Sequence, residues 1–358
     1  MLAEVPIVQG GMAVGISMSG LASAVSRQGG IGVIASAGIG LFEPDFFTDN
    51  VKANMDGLRK EIRKARNSSQ GLLGVNIMVA LGHYAEMVAT AISENIDIIF
   101  AGAGLPLDLP KYLTNGSSTK LAPIVSSARA AHILCKRWTD RFHYLPDAIV
   151  VEGPLAGGHL GFSRDQVFSP EYALQKIMPE VVKEVESFEH RFGKHIPVIA
   201  AGGIYTGRDI YDFLRLGADG VQMATRFVTT VECDAADKFK QAYIDAKDED
   251  IVLIDSPVGM LGRAIRNAFI DDVNKGEKKP FVCPYHCVKA CDFENSPYCI
   301  FFTLLSAQKG DFKNGFAFAG ANASRATEIT TVQALIESLR EEYEQACLTS
   351  PSSRISAI

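Results

Sequence analysis

The stretch Pro197-Val-Ile-Ala-Ala-Gly-Gly-Ile204, followed after one helical segment (Gly207–Leu216) by Asp219-Gly-Val-Gln-Met-Ala-Thr-Arg-Phe227, decides the fold. Each half is a short apolar run that ends in glycine or polar residues. A strand with one wet face alternates apolar and polar positions; a run that is apolar throughout is buried on both faces, as in a parallel sheet covered by helices. Upstream the same unit recurs, with strands expected at Val5–Val8, Gly32–Ala35, Leu73–Met78, Ile98–Ala101, Leu121–Val125 and Ala148–Val151, before those at Pro197–Ala201 and Gly220–Ala224. Helical periodicity fills the gaps at Ser19–Arg27, Pro44–Ala65, Tyr84–Glu94, Ala128–Thr139, Pro170–Phe192 and Ala235–Ala246; only the unit around Leu107–Leu113 has a poorly defined helix. Eight alternations predict an α/β fold of the TIM (β/α)8 barrel type, where an open doubly wound sheet more often stops at five or six strands.

The expected division is a barrel over residues 1–228 and a C-terminal helical and irregular extension over 229–358, packed near the barrel mouth. Within the extension, 229–270 reads as helical with a loop at Asp255–Gly262, 277–300 as an irregular Cys-containing segment, and 330–347 as an acidic amphipathic helix; the last ten residues, rich in Ser, read as frayed.

Composition narrows the class of function. The 358 residues carry a net charge of -6, with 47% hydrophobic and 21% charged residues, which argues for a globular protein and against an electrostatic nucleic-acid binder or a polybasic membrane surface. A small-molecule substrate is the expected partner, and a homodimer is compatible with it. The N-terminus has no basic region ahead of its apolar segment, and no stretch has the length of a membrane span, so neither a signal peptide nor a membrane anchor is expected. The odd count of 7 cysteines, several of them isolated in helical patterns, points to a reducing, cytoplasmic compartment.

The glycine clusters fall after the strands, at the end where a barrel keeps its chemistry: Gln9-Gly10-Gly11-Met12, Gly102-Ala103-Gly104, Gly157-Gly158-His159 and Gly202-Gly203. Glycine lets backbone amides face a ligand without a Cβ in the way, although βα turns also use it simply to turn. Loops after strands seven and eight, with Gly202, Gly203 and the run Gln222-Met223-Ala224-Thr225, suit a phosphate cradle without a Walker lysine. A side chain at Gly203 is expected to fill the phosphate's approach. Asn76 and Glu152 stand at strand ends in apolar surroundings, either as contacts to a heteroaromatic ligand or as ordinary strand-end polar residues. His159, flanked by glycines, reads as a proton donor or acceptor near the barrel centre or as a satisfied structural histidine. Cys283, Cys287, Cys291 and Cys299 give the spacing C-x3-C-x3-C-x7-C, open between metal or cluster binding and buried small hydrophobes. Gly315–Asn322 is an uncharged small-residue stretch that either lines the barrel mouth or forms a packed turn.

The combination of PIVQGGM (6–12), GVNIM (74–78), Glu152-Gly153 through AGGHLG (156–161), VIAAGGI (198–204) and GVQMATRF (220–227) resembles the nitronate monooxygenase (2-nitropropane dioxygenase) family, which includes enoyl-acyl-carrier-protein reductase II. The resemblance spans roughly residues 5–270 and implies a flavoprotein with tightly, non-covalently bound FMN. By position it puts Gln9, Gly10, Gly11 and Met12 beside the flavin, Asn76 on its polar edge and Gly157 against the ring system, with Glu152 and Gly158 also expected to contact the cofactor. It assigns Gly202, Gly203, Gln222, Met223, Ala224 and Thr225 to the phosphate and gives His159 the catalytic role; no metal is implied. The implied activity is oxidation of alkyl nitronates to carbonyl compounds and nitrite. Alternatives are an NAD(P)H-dependent enoyl reductase and a non-catalytic flavin-binding barrel. The chain departs from the pattern in three places. The first strand is expected almost at Met1, without the short segment that precedes it in the family. Position 152 is Glu, as in the reductase branch, where nitronate monooxygenases tend to have Gln. The 277–300 segment is longer than in the simple members.

Overall fold

A computed structural model describes residues 3–277, 281, 283 and 285–349. Pro284 of the Cys-rich segment and residues 350–358 of the tail expected to fray lie outside that set. The strands are β1 (Ile7–Gln9), β2 (Gly32–Ala35), β3 (Leu73–Met78), β4 (Ile98–Gly102), β5 (Lys120–Val125), β6 (Ile149–Glu152), β7 (Gly158–His159), β8 (Val198–Ala201), β9 (Gly220–Met223), β10 (Ile251–Asp255) and β11 (Leu261–Ile265). Eight of them form one parallel sheet in the order β1-β9-β8-β6-β5-β4-β3-β2. A parallel bridge between Val8 and Ile31 brings its two ends together. The result is the expected TIM barrel with a helical C-terminal extension.

Burial on both faces explains the continuous apolar runs. Val33, Ile98, Phe100, Val150, Ile199 and Ala201 pack together inside the barrel, whereas their chain neighbours Ile34, Ile99, Ala101, Val151 and Ala200 belong to the larger core between strands and helices. The period of two is present, but both phases are apolar. At the C-terminal ends of β3, β6 and β9 the inward phase passes to Asn76, Glu152 and Gln222, so the lumen is capped by polar side chains.

The seam between β1 and β2 has few backbone bonds, and Gln9 completes it. Gln9 N donates to Ile31 O at 3.0 Å and Ile31 N to Ile7 O at 2.9 Å. Beyond these the Gln9 side chain takes over: its Oε1 accepts from Val33 N at 3.0 Å and its Nε2 donates to Gly10 O at 2.5 Å. Gln9 is fully buried and does not line the mouth cavity. The side chain that the resemblance sets beside the flavin is spent on closing the barrel.

The extension departs from the sequence reading. Residues 229–270 hold the expected helix (Asp237–Asp245), but 251–265 is a β-hairpin rather than helix and loop. The apolar run Ile-Val-Leu-Ile is too short for periodicity to separate strand from helix. Its partner across the register Ile251↔Ile265 and the short strand β7, which pairs with β11, decide for strand. Helix Val332–Thr349 packs on helix Gly207–Arg215 so closely that a Cβ on Gly207 would lie 2.2 Å from Leu339 O. None of the described helices is long and apolar enough to cross a membrane.

Gln9→Leu is expected to destabilise the protein by about 1–3 kcal/mol, because the buried Val33 N–H and Gly10 C=O lose their partner. Denaturant melts of variant and parent measure it; unchanged stability would show that the seam does not depend on the Gln9 side chain.

Candidate functional site

The mouth of the barrel opens into a cavity of about 560 Å³, in the range of small-molecule and cofactor pockets. Apart from Gln9, every residue that the resemblance assigns to the flavin or to catalysis lines it: Gly10, Gly11, Met12, Asn76, Glu152, Gly157, Gly158, His159, Gly202, Gly203, Gln222, Met223, Ala224 and Thr225. The four clustered cysteines do not.

One end is built from backbone. Gly202 and Gly203 follow β8 with φ of 94° and 87°, values a side chain disfavours, and among the described residues their amides donate to no acceptor. A Cβ on Gly203 would meet the Leu155 side chain at 2.8 Å, not open space. The cost of a substitution there is therefore backbone strain and displacement of Leu155, which corrects the expectation that it would fill a phosphate's approach. Thr225 Oγ1 accepts from Gly320 N at 3.2 Å, leaving its proton to donate elsewhere. The side chains of Asn76 and Gln222 make no hydrogen bond to described protein groups. Gly11 lies so close to Asn76 that a Cβ would stand 2.4 Å from its own. Gly157 is held as glycine by the chain itself, since a Cβ would be 2.5 Å from Gly320 N.

The same cavity carries two titratable groups. His159 sits on β7, paired to Gly262 of β11, with Nε2 2.8 Å from Ser256 Oγ and its ring edge-on to Phe318 at 4.9 Å. Burial pushes its pKa down to about 4, so the imidazole is neutral at pH 7. Glu152, at the end of β6, makes no hydrogen bond to described residues, and burial pushes its carboxyl up to about 7. One cause, loss of water, favours the uncharged form of both.

Parts of the wall were legible in the sequence only in outline. The Gly315–Asn322 stretch does return to the mouth: Ala319 N donates to Arg263 O, Ala321 N to Leu155 O, and Asn322 Nδ2 to Gly203 O at 2.7 Å. Val258, Met260, Val288, Ile300, Phe301 and Leu304 of the extension make an apolar outer wall. Ser256 and Arg263 escaped notice because their hairpin read as helix and loop; the β-branched Ile251, Val252 and Ile254 flanking a Pro-Val-Gly turn were the available signal. Cys283, Cys287, Cys291 and Cys299 are free thiols, with Cys287 pushed up to about 12 by burial. Among the described residues no group of three or more His, Cys, Asp or Glu is arranged to hold a metal ion.

The two shifts have opposite pH signatures. Glu152 has a folded pKa near 7 against an ordinary value of 4.5, so its contribution to stability is complete below pH 4.5 and is lost as pH rises through 7. His159 has a folded pKa near 4 against 6.5, so its contribution is complete above pH 6.5 and is lost as pH falls through 4. In flavin-free protein, Glu152→Gln is expected to remove the loss on the alkaline side and His159→Gln the loss on the acid side, as read by denaturant melts across the range. Parallel pH profiles of variant and parent would overturn the assignment.

Comparison with known proteins places this geometry. The model of the family described as nitronate monooxygenase matches residues 1–97 and 82–342. A probable nitronate monooxygenase of Staphylococcus aureus (strain Newman) is 28% identical over 299 residues, covering 76% of this chain and 79% of that protein. The structure of FabK from Thermotoga maritima superposes with a TM-score of 0.73 at 28% identity over 96% of this chain and 94% of its own. A nitroalkane oxidase from Streptomyces ansochromogenes shares the fold, with a TM-score of 0.73 at 23% identity over 96% and 97% of the two chains. The matched family model covers the barrel strands, the glycine-rich mouth, the His159 loop and the hairpin behind it, and the chain belongs to the nitronate monooxygenase family.

Proposed function

We propose that this protein is an FMN-dependent oxidoreductase that oxidises alkyl nitronates to carbonyl compounds and nitrite. The observation that carries the reading is a single cavity joining a backbone-lined polar end to an imidazole held neutral by burial. The residues present fit a flavin mononucleotide. The unpaired amides of Gly202 and Gly203, with Gln222, Met223, Ala224 and the Thr225 hydroxyl, would hold its phosphate. Asn76 and Gln222 offer amides without partners among the described residues, and Gly10, Gly11, Met12, Gly157 and Gly158 leave room for a flat ring system. FMN bound there supplies electron or hydride transfer through N5, while the protein orients the reactants and moves the protons.

The protein's own part falls mainly on His159. With Nε2 engaged by Ser256 Oγ, Nδ1 has no partner among the described residues and is the ring atom left to exchange a proton with substrate. The neutral imidazole is the form that accepts a proton at pH 7, and its lowered pKa makes it a weak base that readily passes that proton on. The Phe318 edge and the apolar wall keep water from the ring.

One observation favours a second reading, an NAD(P)H-dependent enoyl-acyl-carrier-protein reductase. Glu152, half protonated at neutral pH, could stand beside the reacting carbons as an acid, and the apolar wall from Val258 to Leu304 suits an acyl chain. The two differ in what reduces the flavin. Anaerobic bleaching of bound flavin by an alkyl nitronate alone supports the first; bleaching by NADH or NADPH supports the second; bleaching by neither leaves a flavin-binding barrel without this chemistry.

The purified protein is expected to release FMN on heat denaturation, and colourless protein that takes up no added FMN would sink both readings. His159→Ala is expected to keep its flavin and lose about 10²- to 10⁴-fold in turnover per bound flavin, the range of general acid–base groups. A structural histidine would lower the melting temperature and leave that normalised rate within about threefold of the parent.

A further inference from the structure

Arg263 lies on β11, only 6% exposed, with no carboxylate in salt-bridge reach among the described residues. Its Nη1 donates to two main-chain carbonyls, Pro154 O at 2.7 Å and Ala156 O at 2.5 Å. A guanidinium taken out of water without a counter-charge is costly, and an apolar residue would pack the same strand with less desolvation. The contacts that offset this cost all fall on one loop. Residues 153–157 join Glu152, at the end of β6, to Gly158 and His159 of β7. Arg263 is in register with Gly158, and its neighbour Gly262 with His159, so one strand holds the His159 backbone by the ladder and the preceding loop by the guanidinium. Between the two clamped carbonyls, Leu155 lines the cavity and stands against Gly203. Among the described residues, without Arg263 the loop keeps only the bonds Gly153 N to Ala201 O, Ala156 N to Gly153 O and Ala321 N to Leu155 O.

We propose that Arg263 is a positioning residue whose guanidinium clamps the 154–156 loop and so fixes Glu152 and His159, at the two ends of that loop, relative to one another. This rests on the reading of His159 as the proton carrier. The clamp touches neither substrate nor flavin; it acts through the geometry of the residues that do. The role requires two donors aimed at one place, which Nη1 of the guanidinium supplies with its charge strengthening both bonds, and which a lysine ammonium supplies with looser geometry.

The test uses the full-length protein with Arg263→Met and Arg263→Lys. Amide hydrogen exchange, followed in flavin-free and flavin-loaded samples, is expected to accelerate about tenfold or more at 153–159 in Arg263→Met and less in Arg263→Lys, while β3 keeps its protection. In the loaded protein kcat per bound flavin is expected to fall about 10- to 100-fold in Arg263→Met with KM nearly unchanged, as misplacement of a catalytic group does, and to recover in part in Arg263→Lys. Unchanged exchange at 153–159, equal acceleration throughout the chain, or an unchanged kcat per flavin in both variants would overturn the clamp. The flavin-free exchange reports on the loop without any chemistry. A parent that binds no flavin therefore defeats the proposed function, while the clamp is judged on its own result.

Discussion

The structure depends on the burial of its parallel strands on both faces. Lumen and outer core are apolar along most of each strand, so a polar side chain in the barrel wall is tolerated only where the strand runs out or where another strand's backbone satisfies it. Asn76, Glu152 and Gln222 use the first exception, at the C-terminal ends. Gln9 uses the second, its amide replacing backbone pairing at the seam. The chemistry is thereby confined to one face of the barrel.

The extension turns that face into an enclosed site. The β10–β11 hairpin adopts β7 as a third strand, carries Ser256 to His159 and Arg263 to the preceding loop, and brings Val258 and Met260 to the wall. The 318–322 segment then lies over the loop, bonded to Arg263, Leu155 and Gly203. Its approach to Gly157 leaves no room for a Cβ there. Enclosure has an electrostatic consequence. Water is removed from an acid and a base together, so Glu152 is driven up and His159 down, and the pair tends towards its uncharged state. Two such groups in one cavity, pushed apart from the order of their ordinary pKa values, suit a site that exchanges protons with a bound ligand rather than one that holds a fixed ion pair.

How far the sequence could be read follows from how local each determinant is. The strand ends were legible almost to the residue, as with Gly32–Ala35 and Leu73–Met78, because a short apolar run closed by glycine reports its own two-sided burial. The mouth residues were legible for the same reason: a strand's C-terminal end is known once the strand is. The hairpin at 251–265 was not, since Ile-Val-Leu-Ile carries no period long enough to choose and its partner β7 lies about a hundred residues earlier.

By itself, then, the sequence determined the barrel and the residues from Gly10 to Thr225 that gather at its mouth cavity. Tertiary structure alone decided what each of them does within reach of the others. It turned Gln9 into a seam, set Leu155 rather than empty space opposite Gly203, gave His159 the partner Ser256, and placed an uncompensated guanidinium behind the loop that joins Glu152 to His159. The physical reason is range. Two-sided burial is written into each short run of residues, whereas desolvation and hydrogen-bond partnership depend on segments that meet only when the chain closes.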